Sequence, residues 1–274
     1  MEDTQSRTDE RKLPIQKVGI KNIRYPLAVS NGNGNLQHTV ATFDMAVELP
    51  QDQKGTHMSR FVEALNEFQE SVSLSGIQRL VNVLKKKLPS PGVFLRVEFP
   101  YFLEKKAPVT GSASMMDYTI ILTAESHEDD RITATLIIPV TTLCPCSKNI
   151  SEYGAHNQRG LVELHVRFAD PATADFDRLI RCVEETSSCE VFALLKREDE
   201  KFVTERAYEN PVFVEDLVRD IALKLAKEGN VNWFKVEVTN FESIHHHDAY
   251  AMIDSDHISG FRTLEALAAT VKTK

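Results

Sequence analysis

Along the first part of the chain apolar residues return at every second position, from Val18 to Val29 and again from Val40 to Leu49, where Phe43, Met45, Val47 and Leu49 mark the repeat. A period of two is that of a half-buried strand, so two strands are expected, joined by the turn-rich NGNGN at 31–35. The period then changes. Phe61, Leu65, Phe68 and Val72, followed by Ile77, Leu80, Val81, Leu84 and Leu88, recur at helical spacing, with Ser-Gly between the groups and Pro89 after them. Two helices follow from this. Segments 93–104 and 117–125 return to β-branched and aromatic character, which completes the order β-β-α-α-β-β.

The second half repeats the order. Strands are expected at 131–141 and 161–168, and helices at about 175–195 (Phe176, Leu179, Ile180, Val183) and 212–228 (Val214, Leu217, Val218, Ile221, Leu225). Strands at 231–241 and 249–253 close it. The repeat is one of pattern, since residue identities do not match between the halves. It predicts an α+β fold: an antiparallel sheet with paired helices on one face, its polar face left to line a barrel or a subunit contact. The expected organisation is a mobile arm over 1–15, which lacks apolar periodicity, a first unit over 16–128 and a second over 129–274.

A chain of 274 residues with 42% hydrophobic and 26% charged side chains has the composition of a globular protein, which excludes disordered, collagen-like and low-complexity architectures. Thirty-two basic against forty acidic residues give a formal charge of −8, which argues against nucleic acid or an anionic membrane as the main partner. A local basic pocket for a phosphorylated small molecule is compatible with it. Four cysteines are too few for a disulfide scaffold, and the polar start MEDTQSRTDERK is unlike a signal peptide. No window reaches the roughly 18 consecutive apolar residues of a membrane span. A soluble protein of the reducing cytoplasm is expected.

Reactive side chains concentrate in TTLCPCSKNISEYGAHNQRG, residues 141–160, which falls between two expected strands and is read as a loop. Cys146 and His156 supply a thiolate and an imidazole, donors that suit zinc, iron or another late divalent ion. Further donors lie in REDEKFVTE, where Glu198 and Glu200 precede a strand-like turn, and in SIHHHDA, where His245, His246 and His247 end a strand, the first and third facing one way. Alone, each has a plainer explanation. The Cys-Pro-Cys turn could be half of a structural zinc site completed by Cys182 and Cys189 on one helical face, although such sites favour closely spaced pairs on loops. His156 could be a solvated surface residue, and the three histidines a solvated strand end.

In KGTHMSRF, Thr56 or Ser59 could cap the first helix, leaving Lys54, His57 and Arg60 around free N–H groups where phosphate binds well; solvated charges on an ordinary cap explain the same residues. Glu215, in NPVFVEDLV, opens the fourth helix. It either complements the helix dipole or presents two acceptor oxygens to a donor–donor edge such as guanine N1–H and N2–H₂.

Four blocks taken together, KGTHMSRF, PCSKNISEYGAHNQRG, DEKFVTERAYENPVFVED and ESIHHHDA, closely resemble the type IB GTP cyclohydrolases, in the order that family has them and over residues 54–249. The resemblance implies a tunnelling fold of two tandem β-β-α-α-β-β units, a homotetramer formed as a dimer of dimers with active sites between subunits, and a divalent metal such as zinc, manganese or iron. It implies conversion of GTP and water to 7,8-dihydroneopterin triphosphate and formate, at the head of tetrahydrofolate and, in many bacteria, queuosine-type deazapurine synthesis. Carried over, the thiolate ligand falls on Cys146, with Cys144 its competitor; the histidine ligand falls on His156 and the carboxylate ligand on Glu200, with Glu198 its competitor. The histidine of the ESIH block falls on His245 and the purine-reading carboxylate on Glu215.

On that basis a metal held by Cys146 and His156, with one position open, would activate water for attack at C8 of the guanine. His245 or His247 would move protons during ring opening. Lys54, His57, Arg60, Lys148 and Arg159 would supply the positive field for the triphosphate. Two alternatives stand beside this one: a deazapurine nitrile reductase of the same fold, using a cysteine nucleophile and NADPH, and a nonenzymatic purine- or metal-binding module.

Overall fold

Alternation becomes sheet over long spans. The computed structural model describes residues 5, 7–30, 36–68, 73–127 and 129–258; the NGNGN turn and Val72 lie outside them. Strands β1 (Ile15–Ser30) and β2 (Leu36–Leu49) pair antiparallel, and β2 carries an unbroken alternation that buries Ala41, Phe43, Met45, Val47 and Leu49. Helices α1 (Met58–Glu67) and α2 (Leu74–Lys87) follow, then β3 (Val93–Lys106) and β4 (Ala113–Ser126). The second half runs β5 (Asp130–Leu143), α3 (Pro145–Ile150), β6 (Asn157–Phe168), α4 (Phe176–Glu184), β7 (Cys189–Glu190), α5 (Arg197–Glu209), α6 (Val214–Leu225), β8 (Val231–Asn240) and β9 (Ala249–Asp254). The strands form one sheet in the order β1-β2-β3-β4-β5-β6-β8-β9, with β7 paired to β5. This is the expected α+β class, and the β-β-α-α-β-β order underlies both halves.

Backbone contacts group the chain into two compact units. One comprises 1–100, 120–134 and 171–174; the other comprises 101–119, 135–170 and 175–274. In the first, the inward side chains of β2 and of β3 (Leu95, Val97, Phe99) are buried together with Phe61 and Leu65 of α1 and Ile77, Leu80 and Leu84 of α2, all at most 4% exposed. Burying such a side chain contributes about 1.5–3 kcal/mol. Gly19 of β1 faces Met45 so closely that a Cβ would stand 2.0 Å from the Met45 carbonyl oxygen. The adjoining bulge places Asn22 at φ 60°, its N–H donated to the Asp44 carboxylate at 2.8 Å. In the second unit, Val162, Leu164 and Val166 of β6 and Phe234, Val236 and Val238 of β8 form the sheet's buried face, and Leu217, Ile221 and Leu225 of α6 are buried with them.

Two local expectations are corrected, and one alternative falls with the first. The helix expected over about 175–195 ends at Glu184, because Thr186 Oγ1 donates back to the Cys182 carbonyl (2.6 Å) and Ser187 Oγ to that of Glu184 (2.7 Å), bonds that divert the chain from helix. Cys182 and Cys189 therefore do not share a helical face, which removes the four-cysteine zinc site; all four cysteines are free thiols. The cap of α1 is His57, in extended conformation and without a side-chain capping bond, rather than Thr56 or Ser59. Part of the arm runs beside 52–55: Asp9 N–H donates to Asp52 O, Lys54 N–H to Arg7 O and Gly55 N–H to Gln5 O, at 3.1–3.2 Å, with a bridge between Thr8 and Gln53.

Candidate functional site

The 141–160 segment is more ordered than a loop. Leu143 ends β5, and the next turn folds into α3 because Pro145 occupies its first position, where a missing N–H costs nothing, and Cys144 caps it. Cys144 Sγ accepts from Ser147 N–H at 3.4 Å. The two cysteines thus have different surroundings: the first is spent on the helix start, and Cys146, two residues on, is exposed.

His156 is pinned to this turn. Its carbonyl accepts from Cys144 N–H at 3.1 Å, and its own N–H donates to Ser147 Oγ at 3.2 Å. Its ring is largely enclosed. Nδ1 lies 2.9 Å from Gln158 Oε1 and 3.8 Å from the carboxylate of Glu242, whose side chain is 12% exposed. Gln158 is buried and its amide nitrogen donates to Thr142 Oγ1 at 2.9 Å. Glu242 was missed in the sequence: it heads the ESIHHHDA block, but one acid after a strand end reads as solvated, and only the fold sets it beside His156.

REDEKFVTE is the start of a helix rather than a strand-like turn. Asp199, in the first turn of α5, is fully buried and accepts from Val109 N–H, Thr110 N–H, Thr110 Oγ1 and Lys196 N–H at 2.7–2.9 Å. Burial works to raise its pKa, but the bonds from Thr110, Lys196 and Val109 outweigh it and hold the carboxyl well below the usual range. Glu198 and Glu200 are both exposed; with Asp199, Val203 and Ala207 on the packed side, a rotation of about 100° per residue puts Glu200 about 60° and Glu198 about 140° from the middle of that side. At the other end of α5, Lys148 of α3 donates to the Tyr208 carbonyl and lies 4.4 Å over the Tyr208 ring. Glu200 is about 12 Å from Tyr208 along the helix axis.

The histidine triplet is not on a strand. β8 ends at Asn240 and β9 begins at Ala249, and the exposed residues 243–248 bend so that the rings of His245 and His247 stack, centroids 5.2 Å apart and 20° from parallel. They do share a side, as expected, though through a bend. Glu215 is exposed in the first turn of α6. Arg159 is exposed on β6. Lys54, exposed, and His57, half-buried, belong to the first unit, as does Arg60, which donates to the Lys87 carbonyl at 3.2 Å. An exposed thiol and an imidazole nitrogen on one hydrogen-bonded turn fit a late divalent ion as the start of a ligand set. Among the described residues of the single chain, no three His, Cys, Asp or Glu side chains come together as a complete one.

Comparison with known proteins adds to this geometry. A family model described as type I GTP cyclohydrolase folE2 matches residues 1–251. The chain is 49% identical over 256 residues to GTP cyclohydrolase FolE2 of Geobacter sulfurreducens, covering 93% of this chain and 98% of that protein. It is 49% identical over 257 residues to the protein of the same name in Nitrosococcus oceani, covering 93% and 96%. Among solved structures, a uricase from Bacillus fastidious superposes with a TM-score of 0.60 over 95% of this chain and 96% of that one, at 8% identity. That likeness concerns the fold alone.

Proposed function

The chain belongs to the type I GTP cyclohydrolase folE2 family, and with this as premise we propose that the Cys146–His156 turn is the seat of its ring-opening chemistry. It is a GTP cyclohydrolase, a hydrolase of the first step of folate biosynthesis, converting GTP and water to 7,8-dihydroneopterin triphosphate and formate. The observation that carries the placement is the division of labour between the two cysteines: one sulfur caps α3, and the other is exposed on the same turn that holds His156.

In this reading Cys146 Sγ and His156 Nε2 would hold a divalent ion of the zinc, manganese or iron type. Such an ion supplies Lewis-acid activation of water for attack at C8. Glu200 is favoured over Glu198 as the carboxylate donor because it flanks the packed side of α5. A homotetramer whose sites lie between copies would account for a ligand set incomplete in one chain; the type IB assignment rests on the resemblance of the four sequence blocks. His245 and His247, stacked and exposed, are proposed to pass protons at the guanine nitrogens, since an imidazole offers both a donor and an acceptor nitrogen. Glu215 would accept from N1–H and N2–H₂ of the purine, and Lys54, His57, Arg60, Lys148 and Arg159 remain the cations proposed for the triphosphate. Of these, Lys148 and Arg60 already hold backbone carbonyls. Among the described residues no helix is long and apolar enough to cross a membrane.

Anaerobic formate release from GTP, measured across a panel of divalent metals added to apoprotein, tests substrate, reaction and metal together. Formate with at least one metal and none after chelation is expected; metal-independent turnover would remove the ion from the reaction. Glu215→Gln replaces an acceptor by a donor facing the purine's own donors, and should weaken GTP binding about tenfold or more, read by titration calorimetry. GTP affinity equal to the parent's would discard the purine contact.

A further inference from the structure

A metal-binding imidazole must present a lone pair, and which ring nitrogen does so is fixed by what the other one meets. Around His156, the acceptors lie on the Nδ1 side: Gln158 Oε1 at 2.9 Å and the Glu242 carboxylate at 3.8 Å. A carboxylate so near favours a proton on Nδ1. Gln158 is itself held in place, 7% exposed, with its amide nitrogen donated to Thr142 Oγ1, whose residue is fully buried on β5. A turned amide would point N–H groups at a ring nitrogen that already faces a carboxylate, so the network is consistent in one orientation.

We infer that Gln158 is a positioning residue for the cyclohydrolase reaction: anchored by Thr142, its carbonyl oxygen holds the proton of His156 on Nδ1 and turns the Nε2 lone pair outward as the ligand. The inference rests on the reading of His156 as a metal ligand, and supplies its selectivity between the two ring nitrogens. It also explains a glutamine rather than a glutamate here. A neutral amide fixes the tautomer without adding a further negative charge beside Glu242, where all three side chains are largely buried.

Two measurements on the full-length protein test it. Long-range proton–nitrogen correlation spectra of histidine-labelled apoprotein at mildly alkaline pH, with His156 assigned by its loss in His156→Ala, report the tautomer. Manganese(II) affinity by competition with a chelating dye reports the ligand. The parent should show Nδ1–H at His156. Gln158→Met should shift it toward Nε2–H and weaken manganese binding about ten- to a hundredfold, and Gln158→Glu, which keeps an acceptor oxygen, should restore Nδ1–H. Thr142→Val, which only frees the amide to turn, should mix the tautomers and serves if Gln158→Met does not fold. Nε2–H in the parent, or a tautomer unchanged in both Gln158→Met and Thr142→Val, overturns the inference. Unweakened manganese binding in His156→Ala would instead overturn the ligand reading, and the proposed role in the reaction with it, whatever the spectra show.

Discussion

Cys146→Ala is expected to lose turnover at least about a thousandfold, the equivalent of about 4 kcal/mol of transition-state stabilisation, while the protein stays folded. The side chain is exposed and caps nothing, so its removal should leave stability within about 0.5 kcal/mol of the parent. Cys144→Ala is the counterpart. There the sulfur that accepts from Ser147 is lost, and stability should fall by about 0.5–2 kcal/mol, as for a helix cap, with activity reduced far less. Formate release and denaturant melts of the two variants separate the roles; a dead Cys144→Ala beside an active Cys146→Ala would exchange them.

The largest stability effect is expected away from the site. Lys105 of β3 is 9% exposed, and its ammonium donates to Glu184 (2.8 Å), Glu190 (2.7 Å) and the Val191 carbonyl (2.8 Å), with the Phe192 ring centroid at 4.5 Å. Glu184, 4% exposed, also accepts from Tyr118 OH at 2.7 Å. Burial pushes the Glu184 carboxyl up and Lys105 pulls against it; burial followed by the charge of Glu184 drives the Tyr118 phenol well above its ordinary value. Lys105→Met leaves the buried carboxylate without its cation and should cost about 3–5 kcal/mol in urea or thermal unfolding at neutral pH.

The cost should depend on pH in one direction. A carboxyl whose folded pKa is raised contributes stability below its unfolded value and loses it as pH rises through the folded value. Removing Lys105 raises the folded value further, so the variant's deficit should be greatest on the alkaline side and shrink on acidification as Glu184 takes up a proton. Adding Glu184→Gln should recover part of the loss. A deficit independent of pH, and untouched by the second substitution, would show that Lys105 acts through packing alone.

The long strands were legible because a sheet with one buried face imposes a period of two, which β2 displays without interruption. α5 was not, since only Asp199 and Ala207 of its thirteen residues are buried: it is held by hydrogen bonds at its ends and so carries no apolar stripe. The expected helix over 175–195 ran too far because apolar spacing does not register hydroxyls that bond backward, as Thr186 and Ser187 do. Within the proposed site, Cys146 and His156 stand out in the sequence by their chemistry and their nearness. Glu242 and Gln158 were not. An acid and an amide acquire meaning there only when β6 and the end of β8 are paired, with Phe241 N–H donated to the Arg159 carbonyl at 2.9 Å.

The pairing of residues 5–9 with 52–55 bears on how the protein is handled at the bench. Trimming the chain back to Lys12, a natural choice for a tail that looks dispensable, would strip the amides of Lys54 and Gly55 of their acceptors just ahead of His57. A purification handle fused directly to Gln5 would crowd the same ribbon. A loss of activity after either manipulation should be checked for that damage before it is read as chemistry.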